Sequence, residues 1–110
     1  MRVHLIKEKT IRNYAQYDTG CKIPFEEWLS KLKRADWSKP SDIQDTFSSA
    51  DLLGRGSQKV VFNIGGNNHR MICQYVFGET EVHLFVCWIG THAEYDKICK
   101  AKEQYSISAY

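Results

Sequence analysis

The segment Thr91-His92-Ala93-Glu94-Tyr95-Asp96-Lys97 places an imidazole, a phenol, a carboxylate and an ammonium within six residues. An imidazole titrates near neutral pH, a carboxylate can orient it or accept a proton, and Lys97 or the more distant Arg70 can stabilise charge on a phosphate. Cleaving RNA requires little more. A base must take the 2′-OH proton, a cation must hold the pentacovalent phosphate, and an acid must protonate the leaving 5′ oxygen. A helix N-terminus beside these groups adds a favourable potential for the anion. The same residues also fit a structural reading, in which His92 caps the helix, Tyr95 packs on Trp88 and Asp96 suits the first turns.

Such a cluster needs a helix that starts where a sheet ends. Thr91-x-x-Glu94 is a capping box, and His92, Tyr95 and Asp96 at i, i+3, i+4 share one side of the helix it opens. Upstream the hydrophobic period is two. Lys59–Ile64, His69–Phe77 and Glu81–Ile89 read as three strands. Gly65-Gly66-Asn67-Asn68 and a turn around Gly78-Glu79-Thr80 join them, both rich in residues that tolerate positive φ, and the result is an antiparallel meander. Symmetric crossing of the first turn sets Ile64 opposite His69 and Asn63 opposite Arg70. Val60, Phe62, Ile64, Met71, Cys73, Tyr75, Val82, Leu84, Val86 and Trp88 then form an apolar inner face for helices, with His69 at its margin. The outer face carries Lys59, Val61, Asn63, Arg70, Ile72, Gln74, His83, Phe85 and Cys87. Its mix of basic, amide and aromatic groups suits RNA, whose phosphates need cations and whose splayed bases need flat partners. Lys59, Asn63, Gln74 and His83 are the RNA-binding candidates.

The first half supplies the helices. Val3 and Leu5 alternate around His4 as a short first strand. Ile11, Tyr14 and Ala15 mark an amphipathic helix over Glu8–Thr19, with Gly20 placed for its C-terminal cap. Pro24 suits the first helical position of a second helix whose stripe is Phe25, Trp28, Leu29 and Leu32. After Lys39-Pro40, Ser41 or Asp42 can cap a short helical piece carrying Ile43 and Phe47, and Leu52 and Leu53 close the helical layer. The order is β-α-α-β-β-β-α. The fold class is α+β, a small mainly antiparallel sheet with N-terminal helices on one face and a short C-terminal helix.

Size and composition bound the rest. At 110 residues and 12.8 kDa the chain is expected to form one domain over residues 1–110. It is 43% hydrophobic and 25% charged, a globular composition. The longest apolar-rich run, Val82 to Ile89, contains His83 and falls far short of the ~20 residues a spanning helix needs. Met1 to Lys7 is too short and charged for a secretory h-region, so the expected compartment is the cytoplasm. A net charge of +2 is too balanced for coating nucleic acid by bulk charge, although residues 1–40 hold nine Lys/Arg against five acids. Cys21, Cys73, Cys87 and Cys99 include no C-x-x-C pair, so free buried thiols are expected, and opposite faces keep Cys73 and Cys87 from pairing. Gly65-Gly66 is a turn and not a phosphate loop, because no helix follows it. No nucleophile elbow and no acid pair spaced for two metals is present, and no metal or cofactor is expected.

The block Val60-Val61-Phe62-Asn63-Ile64-Gly65-Gly66-Asn67-Asn68-His69-Arg70 and the later Ile89-Gly90-Thr91-His92-Ala93-Glu94-Tyr95-Asp96-Lys97-Ile98 resemble the two signature segments of HigB-type mRNA interferase toxins. Residues 35–43 and 47–51 are similar too, and the resemblance runs in order over about residues 1–100. It implies a RelE-like fold, translation-linked endoribonuclease activity on ribosome-bound mRNA, and neutralisation by a HigA-type helix-turn-helix antitoxin, with DNA met only through that antitoxin and no membrane involved. Carried over by position, it makes Arg70, His92, Tyr95, Asp96 and Lys97 the catalytic candidates. Gln74 and Cys87 stand where such toxins often have basic residues, and His69 where an aromatic is usual. Two other readings remain: a binding module of the same fold that has lost the chemistry, and a structural partner that only holds an antitoxin.

Overall fold

A computed structural model of the chain describes residues 1–66 and 68–110, Thr19 in its backbone alone. Asn67, part of the turn expected after Ile64, lies outside the described residues. In chain order the elements are β1 (Arg2–Ile6), α1 (Glu8–Tyr17), a 3₁₀ turn (Thr19–Cys21), α2 (Lys22–Lys33), α3 (Ser41–Thr46), β2 (Asp51–Leu52), β3 (Lys59–Ile64), β4 (His69–Phe77), β5 (Glu81–Thr91) and α4 (His92–Lys100). The described strands form one mixed sheet of order β1-β5-β4-β3-β2. The meander β3-β4-β5 is antiparallel, with Asn63 opposite Arg70 and Ile64 opposite His69 as expected. β1 adds to β5 in parallel, Leu5 facing Leu84. No helix among the described residues is long and apolar enough to cross a membrane.

The helical stripes fall where their spacing puts them. Ile11 and Ala15 of α1 and Phe25, Trp28, Leu29 and Leu32 of α2 are buried against Val60, Phe62, Ile64, Met71, Cys73, Val82, Leu84 and Val86 of the sheet. Phe62 is held edge-on by Trp28 and Phe47, each with its centroid 5.1 Å away. Trp37 is wholly buried and its indole N–H donates to Thr46 Oγ1 at 2.9 Å, which anchors the segment between α2 and α3. All four cysteines are free, and Cys73 and Cys87 lie in different clusters on opposite faces.

Several local expectations change. α1 ends at Tyr17 because Asp18 turns to an extended conformation, so Gly20 belongs to the 3₁₀ turn and is not the cap. Pro24 stands at the third position of α2, where its missing N–H is still one of the unpaired donors of the first turn. Asp42 does not cap α3; its Oδ2 accepts the N–H groups of Ser38 and Lys39, at 2.7 and 3.2 Å. Leu52 and Leu53 straddle the sheet edge instead of closing one layer. Leu52 packs on the main core and Leu53 on the other face.

The largest correction is at Trp88. Ile72 pairs with Trp88 but Cys73 pairs with Val86, so β5 carries Cys87 as an extra residue in a bulge. Cys87 and Trp88 therefore both face outward, and Ile89 takes the inner position. The outer face is also less polar than expected. Val61, Ile72 and Cys87 form a second apolar cluster there, packed by Leu53, Trp88, Tyr95 and Ile107. Residues 101–110 lie against it, with the Ala109 N–H donating to the Cys87 carbonyl at 2.8 Å.

Candidate active site

The pairing of β4 with β5 sets Arg70 opposite Gly90 and His69 opposite Thr91, and α4 begins at the next residue. The sheet thus delivers a guanidinium to the first turn of a helix. Thr91 caps that helix as the sequence predicts: its side chain accepts the Glu94 N–H at 3.2 Å, and Glu94 Oε1 accepts the Thr91 N–H at 2.8 Å. The His92 N–H is taken by the carbonyl of Asn68, 3.1 Å away, which ties the turn before β4 to the start of α4. His92 therefore does not cap the helix, and its ring is available for other work.

That ring meets a carboxylate. His92 Nδ1 and Asp96 Oδ2 are 3.2 Å apart, with the two side chains 43% and 56% exposed. In a neutral ring a carboxylate beside Nδ1 favours the N–H on that nitrogen and leaves Nε2 to accept. Tyr95, one position back on the same side, is half-buried and packs on Trp88 at 6.3 Å between ring centroids. Burial first, then the neighbouring Cys99 thiol and Asp51 carboxylate, push its phenol well above the ordinary range, and the Arg70 charge offsets part of this. Tyr95 is therefore a donor and not a base. It fulfils the structural reading and still borders Arg70.

Arg70 is buried, and its Nη1 donates to the carbonyls of His69 at 3.0 Å and Gly66 at 3.3 Å. Such ties hold a guanidinium in one orientation, which is the pre-organisation a phosphate contact needs. Lys97 is not brought to this group. At ~100° per residue it lies about 140° around α4 from His92, on the side away from Tyr95. It is exposed.

The four RNA-binding candidates scatter. Asn63 is across the ladder from Arg70 and edges a groove with Gly65, Gly66, Lys31 and Ser48. Gln74, half-buried, lies four residues along β4 from Arg70, ~13 Å at strand rise. His83 is farther still, with Nε2 2.8 Å from Glu81 Oε1 and its ring edge-on to His4. Lys59 faces outward as predicted but is buried, its ammonium donating to the Ile107 carbonyl at 2.6 Å. Lys59 is thus committed to the C-terminal segment and leaves the set.

Two residues of the site escaped the sequence reading. Trp88 supplies the aromatic floor, and only the bulge at Cys87 puts it there. Gly90 makes room for it, since a Cβ at that position would lie 2.4 Å from the indole. The glycine between a strand and a capping box was the available signal. No three metal-ligating side chains converge in this cluster among the described residues; the described His/Cys/Asp grouping, Asp18 with Cys21 and His69, lies on the other face of the sheet.

Comparison with known proteins adds a family. Residues 21–98 match the family model for HigB toxin, described as the RelE-like toxic component of a toxin–antitoxin system. The chain is 31% identical to the mRNA interferase HigB of Escherichia coli O6:H1, over 72% of this chain and 88% of that protein. It is 28% identical to the mRNA interferase toxin HigB of Escherichia coli K12 and to the mRNA interferase HigB of Shigella flexneri, in each case over 86% of this chain and 88% of the relative.

Proposed function

The chain belongs to the HigB toxin family, RelE-like toxic components of toxin–antitoxin systems, and from that premise we propose that it is an endoribonuclease that cleaves mRNA by acid–base chemistry. A toxin of such a system has an antitoxin partner. We take that partner to be a HigA-type helix-turn-helix protein through which alone the toxin meets DNA, and the site of action to be translated mRNA in the cytoplasm.

The observation that carries this reading is the His92–Asp96 pair at the start of α4, with Arg70 paired in the ladder with Gly90, two residues before His92, and its charge acting on Tyr95. Asp96 orients the imidazole so that Nε2 takes the 2′-OH proton or protonates the leaving 5′ oxygen, and solvent water carries the proton at the other of these two positions. Arg70 holds the scissile phosphate and the extra charge it gains in the transition state. Tyr95, which keeps its proton, donates a hydrogen bond to that phosphate. Lys97 and Asn63 contact the strand on either side, and Gln74 and His83 are reached only by RNA running along the sheet. No metal ion is among the reacting groups of this scheme.

The test is cleavage of mRNA on translating ribosomes, with RNA binding measured separately. His92→Ala should slow cleavage by roughly 10²–10⁴-fold and leave binding nearly intact. It should also stay folded, because Thr91 holds the cap. Arg70→Ala should impair both cleavage and binding. A folded His92→Ala variant that cleaves at the wild-type rate overturns the assignment. Growth arrest on expression of the chain alone, relieved by the neighbouring helix-turn-helix protein, tests the partner.

A further inference from the structure

We propose that Asp18, Cys21 and His69 form a binding site for one thiophilic divalent metal ion, Zn²⁺, on the helical side of the sheet and apart from the cleavage centre. One carboxylate oxygen, one sulfur and one imidazole nitrogen from these residues all lie within 4.8 Å of one another. Cys21 is wholly buried, the His69 side chain is 9% exposed and that of Asp18 is 34% exposed. An oxygen, a nitrogen and a sulfur donor converging inside an apolar layer is the donor set Zn²⁺ takes.

The geometry fits an ion. Bonds of ~2.0–2.3 Å in a tetrahedral site put neighbouring donors roughly 3.3–3.8 Å apart, so the pairs that include the Cys21 sulfur, at 4.8 Å or less, close by at most about 1.3 Å. The His69 Nε2–Asp18 Oδ2 pair, now at 2.8 Å, opens by somewhat more than 0.5 Å. Asp18 and Cys21 stand three residues apart on a 3₁₀ turn, a local chelate of the kind C-x-x-C provides, and His69 arrives from β4, 51 residues from Asp18. The shell around them is already set. Asp18 Oδ1 accepts the Gly20 N–H at 3.2 Å, leaving Oδ2 for the ion, and the Tyr14 ring packs edge-on against the His69 imidazole at 5.9 Å. The Cys21 thiol donates to the Asp18 carbonyl at 3.0 Å, a bond that it exchanges for the metal.

Charge balance favours the same ion. A thiolate and a carboxylate neutralise a divalent cation, so the filled site places no net charge in the core. On binding, the Cys21 thiol gives its proton to solvent as the sulfur–metal bond forms. His69 gives up its hydrogen bond to Asp18; the Nε2 proton passes by way of solvent to Nδ1, and the neutral ring ligates through Nε2. The exposed edge at Asp18 leaves the fourth position to water and provides the way in. A filled site pins the end of α1 to the first residue of β4, whose neighbour Arg70 points to the opposite face.

The experiment is titration of the metal-stripped full chain with Co²⁺, followed by its thiolate-to-metal absorption, then competition by Zn²⁺ and melting curves at increasing Zn²⁺. One equivalent should saturate the band, Zn²⁺ should displace Co²⁺, and the melting temperature should climb with Zn²⁺. Cys21→Ser should abolish the thiolate band. Asp18→Asn, at the exposed edge and with its fold checked by circular dichroism, should weaken Zn²⁺ by more than the ~10–100-fold typical of outer-shell changes. His92→Ala should bind as the wild type does. A Co²⁺ complex without a thiolate band overturns the proposal, as does a band that survives Cys21→Ser. So does unchanged Zn²⁺ affinity in Asp18→Asn.

Discussion

Gly90→Ala isolates one steric contact at the junction of β5 and α4. Gly90 is not among the residues with positive φ, so an alanine there meets no backbone strain. It does meet Trp88. The added Cβ would lie 2.4 Å from Cζ2 and 2.5 Å from Cη2 of the indole, and 3.1 Å from Oε1 of Glu94. Restoring an ordinary 3.4 Å contact moves a rigid ring by 1.0 Å, with Tyr95 packed beside it. Overpacking of this kind costs about 1–3 kcal/mol, a fall in melting temperature of roughly 4–8 °C per kcal/mol for a chain of this size. Because Tyr95 packs on Trp88, a displacement of ~1 Å also reaches the groups proposed to react, where such errors cost about 10²-fold in rate. The assay pairs thermal denaturation with cleavage of translated mRNA. Trp88→Ala supplies the control: with the indole gone, adding Gly90→Ala should cost almost nothing further, a strong non-additivity. Additive losses, or a Gly90→Ala variant that melts and cleaves like the wild type, would refute the contact as the cause.

Other outcomes follow from single contacts. Phe62→Ala empties the space between Trp28 and Phe47 and should destabilise by roughly 3–5 kcal/mol in chemical denaturation; a loss below 1 would mean the aromatic cluster closes over the gap. Lys59→Met removes the tie to the Ile107 carbonyl, so it should lower the melting temperature yet leave the salt dependence of RNA binding unchanged. A salt slope reduced by about one would place Lys59 on a phosphate after all. Asp42 accepts the Ser38 and Lys39 N–H groups, which hold its carboxyl below the ordinary range. Its contribution is present above the unfolded value of ~3.9 and is lost as pH falls through the lower folded one. The melting-temperature gap between wild type and Asp42→Asn should therefore shrink on acidification below about pH 4; a constant gap would exclude that carboxylate as the source.

The strands, their two turns and the register of Asn63 with Arg70 were legible because alternation and turn glycines are local signals. So was the capping box. Trp88 was not, because a bulge leaves no mark in an alternating pattern: Val86-Cys87-Trp88-Ile89 is apolar throughout and can be threaded with either phase. Lys59 pointed to the correct face, but the reading left residues 101–110 without a place. Only the packed segment shows that Ile107 and Ala109 cover that stretch of sheet. The parallel addition of β1 to β5 is likewise a long-range pairing that residues 2–6 alone cannot announce. Lys97 shows the opposite lesson. It shares the string with His92 and Asp96 but not the helix face, and periodicity alone already separates them.

Two adjacent residues on β4 divide the two proposed sites between the faces of the sheet. The pleat sends His69 toward Asp18 and Cys21 in the helical layer and Arg70 toward the start of α4. What fixes that division is the turn before them. Gly65 and Gly66 hold φ of +64° and +67°, conformations that other residues adopt only with strain, and the Gly66 carbonyl is itself an acceptor for Arg70. A slip of one residue at this turn would turn Arg70 into the apolar layer, among Phe62, Ile64 and Met71, and expose His69 in its place. Burying an unpaired guanidinium there is far costlier than any strain in the turn. The register is therefore held from both sides, by the glycines that permit the turn and by the charge that cannot enter the core. The two glycines thus shape the proposed active site, both through the turn they permit and Gly66 also through its carbonyl, which accepts from Arg70.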